Sequence, residues 1–319
     1  MNIPARWAYL AVFIGVCGHA SSEFFAVLTG IAGPEVSVWR YLIGGAGLVL
    51  WALSRADSRD LITPLREEGW YLVILSLAGI SLTYLAFHWS LDYASVIQVA
   101  TFVTTIPIWV GLANLWINKQ PFTTVKIATG AMAVLGIALL VTDGYLGSLK
   151  GDSGSLIGIG LIMFCAAVGS AYAVLIKPIN VRHGALRITA VTLTIGAIGL
   201  WLLVGAAFGI WVDPTTLFER PASDATKSVN PGWWILILGL WNTTITQLLW
   251  FGGLSAAPDI TRASYLFFLK PVIAALLAVI VLSQHPTTLQ LLAIFVVTGS
   301  VLVEMFWPRI GRLLGRGVA

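Results

Sequence analysis

Lys270 and Pro271 form the most chemically loaded pair in the chain. They sit near the middle of residues 260–283, ITRASYLFFLKPVIAALLAVIVLS, a run otherwise apolar and long enough to cross a bilayer. A lysine at that depth costs about 2.5–3.5 kcal/mol on insertion scales, so its surroundings must offset the charge. Pro271 removes one backbone N–H and frees a carbonyl one turn earlier, which lipid cannot satisfy. A charge and a broken hydrogen-bond ladder at one depth predict a polar cavity in which the ammonium meets an anionic group. The competing reading is an internal fastener, a lysine paired with a carboxylate or with carbonyls.

Other polar residues inside apolar runs are few enough to take singly. His19 and Glu23 stand at i and i+4 in the first run and share a helical face. They are the candidates for a proton or ion-pair site. Glu23 is placed to pair with Lys270 or Arg40 or to carry a proton, and His19, between Gly15 and Gly18 on one side and polar residues on the other, is expected to bond a neighbouring carbonyl. In the third run Tyr84, His88 and Asp92 make an i, i+4, i+8 stripe, suited to a vestibule wall with Asp92 as an interfacial anchor. In the fourth, Gln98, Thr101, Thr105 and Trp109 line up, and Gln98 and Trp109 carry the signal because threonine hydroxyls bond their own preceding turn. In the eighth, Asn242, Thr246 and Trp250 recur at i, i+4 and i+8 with Gln247 beside them. An amide and an indole on one stripe offer hydrogen bonds and an aromatic wall to an amphipathic solute; against this, such polar groups also join membrane helices at about 0.6 kcal/mol each. The expected cavity set is therefore Lys270, Tyr84, His88, Gln98, Trp109, Asn242, Thr246, Gln247 and Trp250, with Pro107 and Pro271 as kinks.

These groups need elements to hold them, and composition says which. Of 319 residues 58% are hydrophobic and 10% charged, with a mean hydropathy of +0.90. A soluble domain carries about 25% charged residues, so the chain is read as all-α and integral to a lipid bilayer. Ten apolar segments can be marked, at about 7–29, 35–53, 70–91, 95–116, 124–143, 154–176, 185–211, 232–254, 260–283 and 288–307. The first is too long for a signal-peptide core and contains His19 and Glu23. The net charge of +4 is spread over loops, which argues for topology and against nucleic acid. With the N-terminus inside, thirteen of the 18 Lys and Arg fall on one face and three, Lys150, Arg220 and Lys227, on the other. Both termini are thus expected to be cytoplasmic. Cys17 and Cys165 lie in apolar segments and imply neither a disulfide framework nor a metal site. Most of the 14 Trp, such as Trp7, Trp70, Trp116 and Trp233, fall where helix ends belong and form interfacial belts; Trp109, Trp241 and Trp250 lie deeper.

The chain also repeats itself. Residues 97–124 match 261–288 so that Pro107 meets Pro271, Gln120 meets Gln284 and Thr123-Thr124 meet Thr287-Thr288. A shorter match sets Cys17 and Ser22 beside Cys165 and Ser170. Two units, 1–150 and 151–319, of five helices each must be inverted relative to one another because five is odd. Inverted repeats are a carrier architecture, with the site near the midplane between the halves. On these features the sequence resembles the EamA type of the drug/metabolite transporter superfamily. Each half has a mid-helix proline in its fourth segment, and Trp39-Arg40-Tyr41 is similar to the family's Arg-aromatic pair. The turns Asn118-Lys119-Gln120 and Ser283-Gln284-His285 depart from the family's Gly-Glu turn, so any role of that acid is absent.

Within the superfamily the chain is similar to bacterial aromatic amino acid exporters. That resemblance implies alternating access in the bacterial inner membrane, an amino acid substrate and no cofactor. Two alternatives stand beside it: a multidrug or cationic-drug exporter, which would want a cavity carboxylate, and a non-transporting membrane enzyme or assembly subunit. No G-x-x-x-x-G-K-[ST], H-E-x-x-H or G-x-S-x-G motif is present, so the chain is not read as an ATPase, metalloprotease or lipase.

Overall fold

The computed structural model describes residues 3–31, 33–149, 153–282 and 285–313. Among them no strand occurs, and ten helices are long and apolar enough to cross a membrane. They are α1 (Ala5–Leu28), α2 (Pro34–Leu53), α3 (Trp70–Ser90), α4 (Gln98–Asn118), α5 (Thr124–Thr142), α6 (Gly154–His183), α7 (Ala185–Phe208), α8 (Pro231–Ala256), α9 (Ile260–Ile280) and α10 (Thr288–Trp307). The expected end of the sixth segment at 176 falls seven residues short. Helix α6 continues through Pro178 because its last turns find partners: Lys177 Nζ donates to the Ala257 carbonyl at 2.7 Å and Asn180 Nδ2 to the Ser255 hydroxyl at 2.8 Å.

The packing pattern maps onto itself when the first five helices are exchanged for the last five. Helix α1 packs on α8 and α9, as α6 packs on α3 and α4, while α2 pairs with α7 and α5 with α10. Irregularities recur the same way. A six-residue π-helical turn interrupts α3 at Leu77–Leu82 and α8 at Leu240–Ile245, 163 residues on. Each brings a hydroxyl against a facing glycine: Ser81 Oγ donates to the Gly196 carbonyl at 2.7 Å and Thr244 Oγ1 to the Gly44 carbonyl at 3.0 Å. Those glycines admit the neighbouring helix backbone closely, since a Cβ on Gly44 would meet Thr243 Cγ2 at 2.3 Å and one on Gly196 would meet Ile80 Cβ at 2.4 Å.

The fourth helix of each set is broken just before its proline. Helix α4 interrupts at Thr104 and Thr105 and restarts at Ile106; α9 tightens to a 3₁₀ turn over Tyr265–Leu269 and restarts at Lys270. Pro107 and Pro271 are each the second residue of the restarted helix, where a missing N–H costs nothing. The carbonyl expected to be freed by Pro271, that of Phe267, accepts instead from the Lys270 backbone N–H. Tightening repairs the ladder, so the kink itself leaves that carbonyl no open valence.

Candidate functional site

Seven helices, α1 to α4, α6, α8 and α9, surround a central cavity of about 170 Å³. Its polar wall comes from Ser37 and Arg40 on α2, Thr83, Tyr84 and His88 on α3, Gln247 on α8 and Lys270 on α9. Ser22 of α1 and Ser170 of α6, matched in the sequence repeat, face it from either side. His19, Trp250 and Phe267 make an aromatic floor, with ring centroids 5.1 to 5.7 Å apart. Lys270 Nζ stands 5.9 Å from the Phe267 ring centroid, within cation–π range.

The wall is braced by hydrogen bonds between helices. Gln247 Nε2 donates to the Tyr84 hydroxyl at 3.0 Å and the Tyr41 hydroxyl at 3.2 Å, and the two tyrosine rings lie 4.2 Å apart. His88 Nδ1 donates to the Tyr84 carbonyl at 2.7 Å, which leaves Nε2 of the neutral ring to accept from the Ser37 hydroxyl at 2.8 Å. Arg40 Nε donates to Thr243 Oγ1 and Nη2 to the Asn242 carbonyl, both at 2.9 Å. A cation is thereby pinned to the π-helical turn of α8. Among the described lining residues two side chains carry fixed positive charge, Arg40 and Lys270, and none is a carboxylate.

The cavity extends toward one face. Its lining reaches Ala26, Val36 and His88, close to the ends of α1, α2 and α3, on the face where α1 ends and α2 begins. Below the floor, on the face that carries the N-terminus, the helix ends are tied together. Lys126 Nζ reaches Asp259 Oδ2 at 2.8 Å, Arg262 Nε reaches Glu304 Oε1 at 3.2 Å, and Asn114 Nδ2 donates to Thr261 Oγ1 at 3.2 Å. The Tyr265 hydroxyl also donates to the Lys126 carbonyl. A second cavity of about 450 Å³ lies between α4, α5, α9 and α10, walled mostly by Ala, Leu and Val, and shares Lys270 with the first.

A sequence profile described as the EamA-like transporter family matches residues 6–142 and again residues 156–305. The chain belongs to that family. Curated relatives agree in kind. An uncharacterized transporter of Archaeoglobus fulgidus is 23% identical over 79% of this chain and 80% of its own length. Another from Clostridium kluyveri is 20% identical over 92% of each chain, and the uncharacterized transporter YvbV of Bacillus subtilis (strain 168) is 27% identical over 83% of this chain and 80% of its own. A solved crystal structure, 19% identical, superposes with a TM-score of 0.78 over 96% of this chain and 98% of its own, and shares the fold.

The expected site residues of this EamA-like transporter divide in two. Lys270, Tyr84, His88, Gln247 and Trp250 are brought together on the cavity wall. The rest of the set is elsewhere. Gln98 caps α4: its Oε1 accepts from the Ser95 N–H at 2.8 Å while its own N–H bonds the Ser95 hydroxyl. Trp109 lies off the stripe of Val103, Ile106 and Val110 that α4 turns to the cavity. Asn242 Nδ2 donates to the Gly18 carbonyl at 2.6 Å and to the Ser21 hydroxyl at 3.0 Å, and Thr246 Oγ1 donates to the Trp241 carbonyl; both residues are buried against α1. Trp241 likewise bonds Ser21.

The physical reason in α8 is the neighbour that its stripe meets: Asn242 and Thr246 lie against Gly18 of α1 and the Trp250 backbone against Gly15, so the stripe is a helix–helix contact from which the Trp250 side chain reaches the cavity. His19 departs from expectation as well. Instead of bonding a carbonyl it packs edge-on to Trp250 and Phe267, its Nε2 buried without a partner among the described residues. The side chain of Glu23 lies outside the described residues. Arg40, Ser37 and Phe267 complete the site without having been singled out as cavity residues. Arg40 had a signal, a cation inside an apolar run within Trp39-Arg40-Tyr41.

Proposed function

We propose that this EamA-like transporter exports amino acids, aromatic ones among them, across the bacterial inner membrane by alternating access. The observation that carries the reading is the composition of the described cavity wall: two fixed cations, no carboxylate and an aromatic floor. Arg40 and Lys270 suit a substrate carboxylate, with Arg40 held in place by the α8 turn. Gln247 Oε1, without a partner among the described residues, is the acceptor offered to a substrate ammonium, since its amide N–H groups are engaged by the tyrosines. Trp250 and Phe267 suit an apolar side chain. A cavity of about 150 Å³ takes up one benzene ring, so the volume here matches a single-ring side chain.

The units 1–150 and 151–319 act as inverted halves that rock about the site. Support comes from the self-mapping helix contacts, the recurrent π-helical turns and the separate profile matches to each half. The excess of Lys and Arg on the N-terminal face supports a cytoplasmic side for both termini. On that orientation the ion pairs Lys126–Asp259 and Arg262–Glu304 tie the cytoplasmic ends of the helices, and the cavity lining extends toward the other side.

Flux of radiolabelled phenylalanine into proteoliposomes of the purified protein is the test, with an organic cation as the rival substrate. Wild-type protein carries phenylalanine, and Lys270→Ala abolishes that flux while leaving the melting temperature near wild type. Undiminished flux by Lys270→Ala, or carriage of the cation alone, overturns the reading.

A further inference from the structure

Beneath the aromatic floor, Glu304 of α10 is 1% exposed, yet only one of its carboxylate oxygens is engaged. Oε1 accepts from Arg262 Nε at 3.2 Å, and Oε2 is buried with no partner among the described residues. The charged and titratable groups that face it are Tyr9 from α1, Lys126 from α5, and Asp259, Arg262 and Tyr265 from α9 and the turn before it. Two cations and two carboxylates balance. Asp259 is the member that stays charged. Burial works against its carboxylate, but the Lys126 ammonium, the Arg262 backbone N–H and the Arg262 guanidinium together hold its carboxyl below the usual range.

We propose that Glu304 is a proton-binding site that unlocks the N-terminal face of the carrier. The inference rests on the alternating-access reading but adds a ligand to it. A proton drawn from the solution at that face, through the partly exposed Asp259 and Arg262, adds to Oε2. The carboxylate becomes a neutral acid and its ion pair with Arg262 is lost. Lys126 and Arg262 are then left to share Asp259, and the cluster carries one uncompensated positive charge in a poorly hydrated place. Separation of α5 and α9 exposes that charge to water and relieves the imbalance. Opening at this face is therefore favoured by proton uptake, and closure by proton release to the same solution.

The same cluster explains why the face is shut in this structure. With Glu304 ionised, Lys126–Asp259 and Arg262–Glu304 join α5, α9 and α10. Phe267 of the floor follows Arg262 by five residues, in the 3₁₀ turn of α9.

Two measurements on the full-length protein in lipid vesicles test the proposal, and neither needs a transported solute. Infrared spectra recorded across a pH titration follow the protonated-carboxyl stretch; the wild type gains a band that Glu304→Gln lacks. The second measurement uses Ala263→Cys, a fully buried position between the cluster and the floor, probed from the N-terminal face with a membrane-impermeant thiol reagent. Labelling is read by mass spectrometry so that Cys17 and Cys165 do not interfere, and normalised to Lys119→Cys at the exposed turn.

Normalised labelling rises about tenfold as pH falls through the midpoint of the infrared band, a coupling of ordinary size. In the Glu304→Gln background it is high at every pH. Should Glu304→Gln fail to insert, Glu304→Asp must keep the band at a shifted midpoint, with labelling following it. An infrared band unaffected by both substitutions, or labelling independent of pH in the wild type, overturns the proposal. A positive result here with no phenylalanine flux would leave the proton site standing and remove only the substrate reading.

Discussion

Arg40 Nη2 donates to the backbone carbonyl of Asn242 at 2.9 Å, across the contact between α2 and the π-helical turn of α8. A wide turn offers its neighbours backbone acceptors, and in a bilayer such acceptors need a donor. Arg40 supplies that donor and so is both part of the wall and its brace. Its second bond, Nε to Thr243 Oγ1, fixes the guanidinium plane, so the positive charge presented to the cavity is held in one orientation.

Arg40→Lys therefore costs more than a conserved charge suggests. A lysine ammonium cannot meet the Asn242 carbonyl and the Thr243 hydroxyl from a fixed planar fork. We expect phenylalanine uptake to fall about tenfold or more, equivalent to about 1.4 kcal/mol of lost stabilisation, with a lower melting temperature from the freed turn. Proteoliposome flux and a tryptophan-fluorescence melt on the same preparation check both parts.

Tyr84→Phe removes one of the two hydroxyls that accept from Gln247 Nε2. The amide then keeps only its bond to Tyr41, so its position over the cavity loosens. Loss of a single neutral hydrogen bond costs about 1 kcal/mol, and half-saturation of uptake should rise about fivefold with the maximal rate little changed. Tyr172→Phe, which breaks the bond to Thr192 away from the cavity wall, should affect stability alone. Equal changes in half-saturation for the two variants would remove Gln247 from substrate contact.

Much of this was legible in the chain itself, and where the placement of a side chain differs from expectation a local contact accounts for it. A lysine in mid-span announces an aqueous site because hydrocarbon cannot host it, and Lys270 is on the cavity wall. The ten spans followed from hydropathy alone. Asn242, Thr246 and Trp250 do share a face, but it is turned to α1, where the first two meet Gly18 and the Trp250 backbone meets Gly15. The small residues that make this contact, Gly15 and Gly18, stand on α1, so the stripe on α8 did not say which neighbour it meets; Gln247 beside it is the amide that lines the cavity. Gln98 is held at the helix start by its own neighbours. Ser95 three residues before it makes a capping box, a local pattern that outranks a long-range stripe.

Asp259 gives the N-terminal face a definite acid limit. Its carboxyl is held below the ordinary value of about 3.9, so the stabilisation is complete above that pH and is lost as pH falls through the lower folded value. The wild-type melting temperature should hold down to about pH 4 and then drop. Asp259→Asn should start lower at neutral pH, because Lys126 loses its partner, and should show a shallower acid limb. Melts of the two proteins across that pH range, in one detergent, check the sign.

A tight contact between α1 and α8 sets the last expectation. Gly18 of α1 faces Thr246 of α8, and a Cβ placed there would stand 1.8 Å from Thr246 Oγ1. The Gly18 carbonyl also accepts from Asn242 Nδ2 at 2.6 Å, so α1 cannot back away without breaking that bond. Gly18→Ala should destabilise the protein by about 1–3 kcal/mol, the usual cost of overpacking. Thr246→Ala removes the clashing hydroxyl and methyl but keeps a Cβ 2.9 Å away, so the double variant should recover part of the loss in a melt. A Gly18→Ala melt indistinguishable from wild type would show that α1 and α8 are not locked at this point.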